Sequence, residues 1–219
     1  MSLRIARKYL SLTDRMGEAA FAVIMVIIIN GYVALSDLNT GFWYIVGVNL
    51  VACIGWGFID GLIYMTSSSM DRNEERKKAI LLKNAKGDEA SVSEVRKAMD
   101  GTFMDVFDDV GKEKIAREML KNSEGVSVGA ERLITKKELL GGFSIFLIYI
   151  VSGLLLALPF LFLPNKFNAW IISNLMGCAF LFYYGTLLGK ALGRNRFLLG
   201  VIMAGWGLFF LVLSYVVWT

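Results

Sequence analysis

Apolar residues run in five long blocks, at about residues 17–35, 42–65, 139–163, 169–189 and 197–218. Short polar breaks and one long charged stretch separate them. Each block is near the length of helix that crosses about 30 Å of hydrocarbon. The pattern predicts an all-α integral membrane protein with five transmembrane helices. The breaks at 36–41 and 164–168 are short, so helices one and two, and helices three and four, should form tight hairpins. The first block starts too deep in the chain, and lacks the small-residue cleavage site, to be a removable signal.

The charged stretch at 69–138 is too long to be a mere connection. It divides the chain into 1–68 (flank and helices one and two), 69–138 (a helical insert) and 139–219 (helices three to five). DRNEERKKAILLKNA, residues 71–85, has helix-forming composition and should continue helix two beyond the membrane, until Gly87-Asp88 breaks it. Ser91 to Glu94 reads as a capping box opening a helix whose apolar positions are Val92, Val95, Met99, Phe103 and Phe107. Residues 112–122 predict a third helix, 124–130 a loop, and 131–138 the lead into helix three. At the N-terminus, SLRIARKYLSL interleaves cations with apolar residues, as an interfacial helix or a solvated flank would.

Composition narrows the function. Mean hydropathy is +0.56, and histidine is absent, which removes His-ligated haem, His-based zinc and Ser-His-Asp catalysis. Cys53 and Cys178 fall within apolar blocks and read as packing residues rather than a disulfide framework. Of 23 basic residues, 22 lie in the N-terminal flank, the insert and the break before block five, which leaves Lys166 alone on the other side. The positive-inside rule then puts the N-terminus and insert in the cytosol and the C-terminus outside. The net charge of +4 therefore reflects topology, and membrane lipid, not nucleic acid, is the expected partner.

Asp60 is the one charge in block two, FWYIVGVNLVACIGWGFIDGLIYM. A carboxylate at membrane depth is costly and usually faces a bundle interior or a water-filled path. Helical spacing puts Asn49, Cys53, Trp56, Asp60, Tyr64, Ser67 and Asp71 on one stripe. On helix one, Glu18, Met25 and Tyr32 recur every seven residues, and Asp14 lies one turn before Glu18. Antiparallel hairpin geometry brings Glu18 and Asp60 to the same side of the membrane. Carboxylates with a nearby thioether suit Fe²⁺ or Mn²⁺, which gives a transport path through Asp60, Glu18, Met25, Asn49, Tyr64 and Ser67. The competing explanations are core packing for Met25, an ion pair with Arg15 for Glu18, and helix-packing hydrogen bonds for Asp60. Asn30 and Asn49 flank the same loop at comparable distances and can bond across the hairpin.

In the insert, Asp105, Asp108 and Asp109 lie at one helix end, and Glu74, Glu75, Glu118 and Met119 lie in neighbouring helices. Such a set binds divalent metal or forms a solvated acidic face. Gly57/Gly61 and Gly185/Gly189/Gly193 are small-xxx-small patterns that let helices approach. Pro159 and Pro164 in ALPFLFLP should kink or end helix three.

This layout resembles the vacuolar iron transporter family. GWGFIDGLIYMTSSSMDRNEER is similar to that family's acid-bearing second helix running into a cytosolic domain. SGLLLALPFLFLP and GRNRFLLGVIMAGWGLFFLVLSYVVW resemble its third and fifth helices. The family's first helix usually carries Asp-Gly, where this chain has Glu18, and its insert is more regularly glutamate-rich. The resemblance implies no enzyme and no tightly bound cofactor, but a homodimer that moves Fe²⁺ or Mn²⁺ out of the cytosol in exchange for protons. Asp60 would be pathway ligand and proton acceptor, Glu18 its partner, Met25 or Met65 a softer ligand, and the insert's acids a metal collector or sensor. With no organellar targeting signal in view, a prokaryotic plasma membrane is the expected location. The alternative is a non-transporting membrane protein whose insert binds a partner. Lipid-headgroup chemistry is disfavoured, because Asp60-Gly61 is followed by LIYMTSSSM and not by the further spaced aspartates such enzymes need.

Overall fold

The computed structural model describes residues 9–36, 41–85, 88–123, 128 and 132–218. They form seven α-helices and one 3₁₀ turn, with no strand among them: α1 Leu12–Ser36, α2 Phe42–Asn84, α3 Glu89–Met99, the 3₁₀ turn Phe103–Val106, α4 Asp109–Lys121, α5 Lys136–Phe162, α6 Lys166–Ala191 and α7 Arg196–Trp218. Helices α1, α2, α5, α6 and α7 are long and apolar enough to cross a membrane. The chain divides into two compact units, one of residues 1–65 and 136–219, the other of residues 66–135.

In the first unit α1 is the central helix. It packs against α5, α6 and α7 and buries Ala22, Val23, Val26, Ile27, Asn30, Val33 and Ala34 almost completely. The helix starts at Leu12, earlier than its apolar block. Ser11 and Asp14 cap each other reciprocally: the Asp14 amide donates to Ser11 Oγ at 3.0 Å, and the Ser11 amide donates to Asp14 Oδ2 at 3.2 Å. Asp14 is thus a cap. By contrast α7 shows most of its apolar side chains at the surface, including Phe197, Trp206, Phe209 and Val216, as a lipid-facing helix does.

Lipid supplies no hydrophobic drive between helices, so close approach depends on small residues. On α2, Gly57 and Gly61 meet α5 backbone to backbone: a Cβ on Gly61 would stand 2.8 Å from the Gly142 carbonyl oxygen, and one on Gly57 3.2 Å from Phe146 Cα. Gly185 and Gly189 serve α6 against α7 in the same way, at 2.8 Å from Gly200 Cα and Arg196 Cα. Gly193 differs from the small-xxx-small expectation. Its φ of +63° makes it the left-handed turn residue between α6 and α7. Pro159 lies inside α5, which continues to Phe162 before Pro164 stops it.

One chain of hydrogen bonds ties four helices together. Asn49 Nδ2 on α2 donates to Asn30 Oδ1 on α1 at 2.7 Å, and Asn30 Nδ2 donates to Ser173 Oγ on α6 at 2.9 Å. Ser173 Oγ then donates to the Leu156 carbonyl of α5 at 2.6 Å. All three side chains are buried.

The second unit is small. Val92, Val95 and Met99 of α3 pack on Ala116 and Leu120 of α4, with Leu81 and Leu82 from the end of α2. The expected Ser91 capping box does not form. Asp88 is the N-cap, accepting from the Ser91 amide at 2.9 Å, so Ser91 is already helical. Nor does the helix run on to Phe103 and Phe107: it ends at Met99, and Gly101 turns with φ +76°. Lys112 fastens the turn to α4 through Asp100 at 2.8 Å and Asp105 at 2.6 Å. Arg72 and Ser69 hold the Arg132 and Leu133 carbonyls at 2.7 and 2.6 Å. The expected loop at 124–130 lies outside the described residues except for Val128, as do Gly87, residues 37–40 and most of the N-terminal flank.

Two predictions follow from this packing. Gly61→Ala should destabilise the detergent-solubilised protein by about 1–3 kcal/mol through overpacking, whereas Gly55→Ala, whose Cβ meets nothing within 4 Å, should not; thermal unfolding compares them. The second concerns Lys112, whose hydrogen bonds to Asp100 and Asp105 raise its own pKa while holding the Asp105 carboxyl below the usual range. A depressed carboxylate stabilises above its unfolded pKa of about 4 and loses that contribution as pH falls further. A raised ammonium contributes below about 10.4 and is lost in stronger alkali. The protection factors of amides across α3 and α4 in the full chain, which correct for the intrinsic pH dependence of exchange, should therefore fall below about pH 4. Lys112→Met should raise exchange at neutral pH and flatten that acid dependence.

Candidate functional site

Three helices of the first unit bring their polar side chains to one place. Glu18 enters from α1, Asp60 from α2 and Tyr149 from α5. The Tyr149 hydroxyl donates to Asp60 Oδ2 and is also within hydrogen-bonding reach of Glu18. Tyr149 is fully buried, and both carboxylates are partly buried.

Local packing explains why these groups converge. Gly57 and Gly61 flank Asp60 by one turn and by one residue, and their close contact with α5 sets α2 beside Tyr149. Phe21, one turn beyond Glu18, packs its ring against Trp56 at 6.1 Å and against Tyr149 at 6.4 Å. Arg15, the cation nearest Glu18 in sequence, directs Nε to the Ser11 carbonyl at 3.2 Å. Among the described residues neither carboxylate forms an ion pair with Lys or Arg. Two carboxylates with a shared hydroxyl, and no paired cation among the described residues, suit an oxygen-preferring divalent ion or a proton.

The other expected path residues are spread out. Met25 is buried in the core cluster of α1 with Val26 and Leu181. Asn49 belongs to the four-helix hydrogen-bond chain and also donates to the Ile45 carbonyl at 3.0 Å, while its Oδ1 has no partner. The Tyr64 hydroxyl donates to the Tyr9 carbonyl at 3.2 Å. Met65 borders an apolar groove of about 230 Å³ with Gly61, Gly142 and Phe146. Ser67 is exposed and falls in the second unit.

The insert's acids mostly serve local structure. Asp105 pairs with Lys112, Asp108 caps α4 by accepting from the Gly111 amide at 2.8 Å, and Asp109 lies 3.8 Å from Arg96. Glu74 and Glu75 are exposed on α2, and Glu118 is exposed beside Asn122. Met119 lines a shallow apolar pocket with Leu82 and Met99. Among the described residues no group of three or more Asp, Glu or Cys side chains is close enough to hold a metal ion.

Sequence reasoning missed Tyr149. Its signal was present: a phenol in the middle of an apolar helix must find an acceptor. Periodicity within one helix, however, says nothing about which acceptor a neighbour offers.

A family model described as the VIT family matches residues 65–219, and no curated protein matches the chain. The match includes Tyr149 and the whole insert, whereas Glu18 and Asp60 precede it. It covers well over half the chain, together with five helices able to span a membrane and an acidic site on three of them. The chain therefore belongs to the vacuolar iron transporter (VIT) family of membrane metal-ion transporters.

Proposed function

We propose that this protein moves Fe²⁺ or Mn²⁺ out of the cytosol in exchange for protons, and that Asp60 and Glu18 carry the ion. The observation that supports this reading is the convergence of the two carboxylates on one buried hydroxyl, with no ion pair to either among the described residues. Partly buried acids that pair with no cation leave a negative site, and its natural occupants are a metal ion or protons. When a divalent ion arrives it displaces protons, and when it leaves they return. That alternation couples the two flows.

Carboxylate oxygens are hard donors that suit Mn²⁺ and Fe²⁺ better than softer ions. In this reading the chain runs N-in and C-out in a prokaryotic plasma membrane, the insert is cytosolic, and two copies form the working unit. Residues 66–135 hold thirteen basic and fourteen acidic side chains. Their charges nearly cancel, so metal capture rests on the membrane site and not on a general acidic field. The same reading assigns Met25, Asn49, Tyr64, Met65 and Ser67 to the route, with Met25 or Met65 as a softer ligand. The insert's metal role, through Asp105, Asp108, Asp109, Glu74, Glu75, Glu118 and Met119, would need those side chains to leave their present partners.

One observation favours the non-transporting alternative. Phe103 and Val106 are 78% and 86% exposed on the small charged unit, as a protein-contact surface would be.

Proteoliposomes containing an internal pH dye decide between the two. Fe²⁺ or Mn²⁺ should enter with protons moving the other way, and Asp60→Asn should cut the flux by about tenfold or more, as loss of an intramembrane ligand does. Glu18→Gln should lower it less. Flux that survives Asp60→Asn would return Asp60 to helix packing, and the absence of flux for any divalent ion would favour the partner-binding reading.

A further inference from the structure

We propose that Tyr149 is the latch of the acidic pair: its hydroxyl bonds Asp60 and must surrender that hydrogen bond for a divalent cation to bind. This inference rests on the transport reading and names a residue that competes with the cargo.

A phenol carries one proton and can donate to one acceptor at a time. Here two carboxylates lie within its reach, Asp60 on α2 and Glu18 on α1, and the bond is made to Asp60. A hydrogen bond to an ionised group is about twice as strong as a neutral one, more so where water is excluded. It satisfies the carboxylate but leaves the negative charge in place. A divalent cation needs the same oxygen atoms. Once it binds, the O–H proton faces a positive charge, so the hydroxyl must give up the Asp60 oxygen and withdraw.

The ring cannot simply swing aside. Tyr149 is fully buried, its Cβ lies 3.0 Å from where a Gly57 Cβ would stand, and Phe21 packs against it at 6.4 Å with the rings tilted by 57°. Withdrawal of the hydroxyl therefore requires α5 to shift. That helix is also the one in backbone contact with Gly61 at Gly142. Ion binding by α1 and α2 is thereby communicated to α5 through a single phenolic oxygen, which makes Tyr149 a positioning residue as well as a competitor.

The test is Tyr149→Phe in the full chain, purified into nanodiscs, with Mn²⁺ as the probe. The substitution removes one oxygen and keeps the ring, so the aromatic packing stays. Titration calorimetry should show Mn²⁺ binding about tenfold tighter than wild type, the size expected when a hydrogen bond to a charged group no longer competes. Turnover in proteoliposomes should fall, because release is no longer assisted by the returning hydroxyl. The infrared difference between Mn²⁺-bound and metal-free wild type should contain a phenol band that is missing in Tyr149→Phe. A merely structural tyrosine would change thermal stability without changing the Kd. An unchanged or weaker Kd in the variant overturns the latch while leaving the transport reading intact. Wild-type protein that binds no Mn²⁺ and transports neither Mn²⁺ nor Fe²⁺ overturns both.

Discussion

Helices within a bilayer gain little from hiding apolar surface, since lipid tails accept that surface as well as a neighbour does. Everything specific in the first unit therefore rests on places where backbones touch or polar groups must be shared. The contact of Gly57 and Gly61 with Gly142 and Phe146 is the most consequential of these. It locks α2 to α5 at the depth of Asp60, and only then does Tyr149 reach across. A wider separation, with side chains between the helices, would leave the carboxylate without that donor.

Polar satisfaction works at two depths with different results. The Asn49–Asn30–Ser173–Leu156 chain is neutral and nearly closed, with each donor group bonded at least once. It fixes four helices and leaves Asn49 Oδ1 as a residual acceptor. The Glu18–Asp60–Tyr149 group is anionic and open, with two acceptors competing for one donor proton. A closed neutral network suits architecture. An under-supplied anionic one suits exchange of cargo, and this difference separates scaffold from site more sharply than burial alone.

The second unit follows soluble rules at the lower limit of size. Five buried apolar side chains and a short run of α2 make its core, and charge pairing supplies the rest. Lys112 bridging Asp100 and Asp105, and Arg117 held by Glu89 and Glu113 at 2.8 Å each, convert acids that look available for metal into internal fasteners. Exposed pairs of this kind contribute modestly one by one. Together they settle the orientation of α3 against α4.

The sequence by itself determined the five spanning helices, the helical stretch between the second and third, and the family. Each depends on length, local period or an ordered string of residues, which a single chain displays directly. It also isolated Asp60, because a lone charge in an apolar block is visible without knowing the fold. Asn30 with Asn49 was legible too, since a short hairpin fixes which depths face each other. Tertiary structure alone decided that Tyr149 joins Glu18 and Asp60, that Ser173 extends the asparagine pair, and that Gly193 turns while Gly185 packs. It also decided that Asp88, not Ser91, caps α3. Those outcomes depend on the rotation and spacing of helices distant in sequence, or on a choice between nearby caps of similar energy. Spacing along one helix encodes neither.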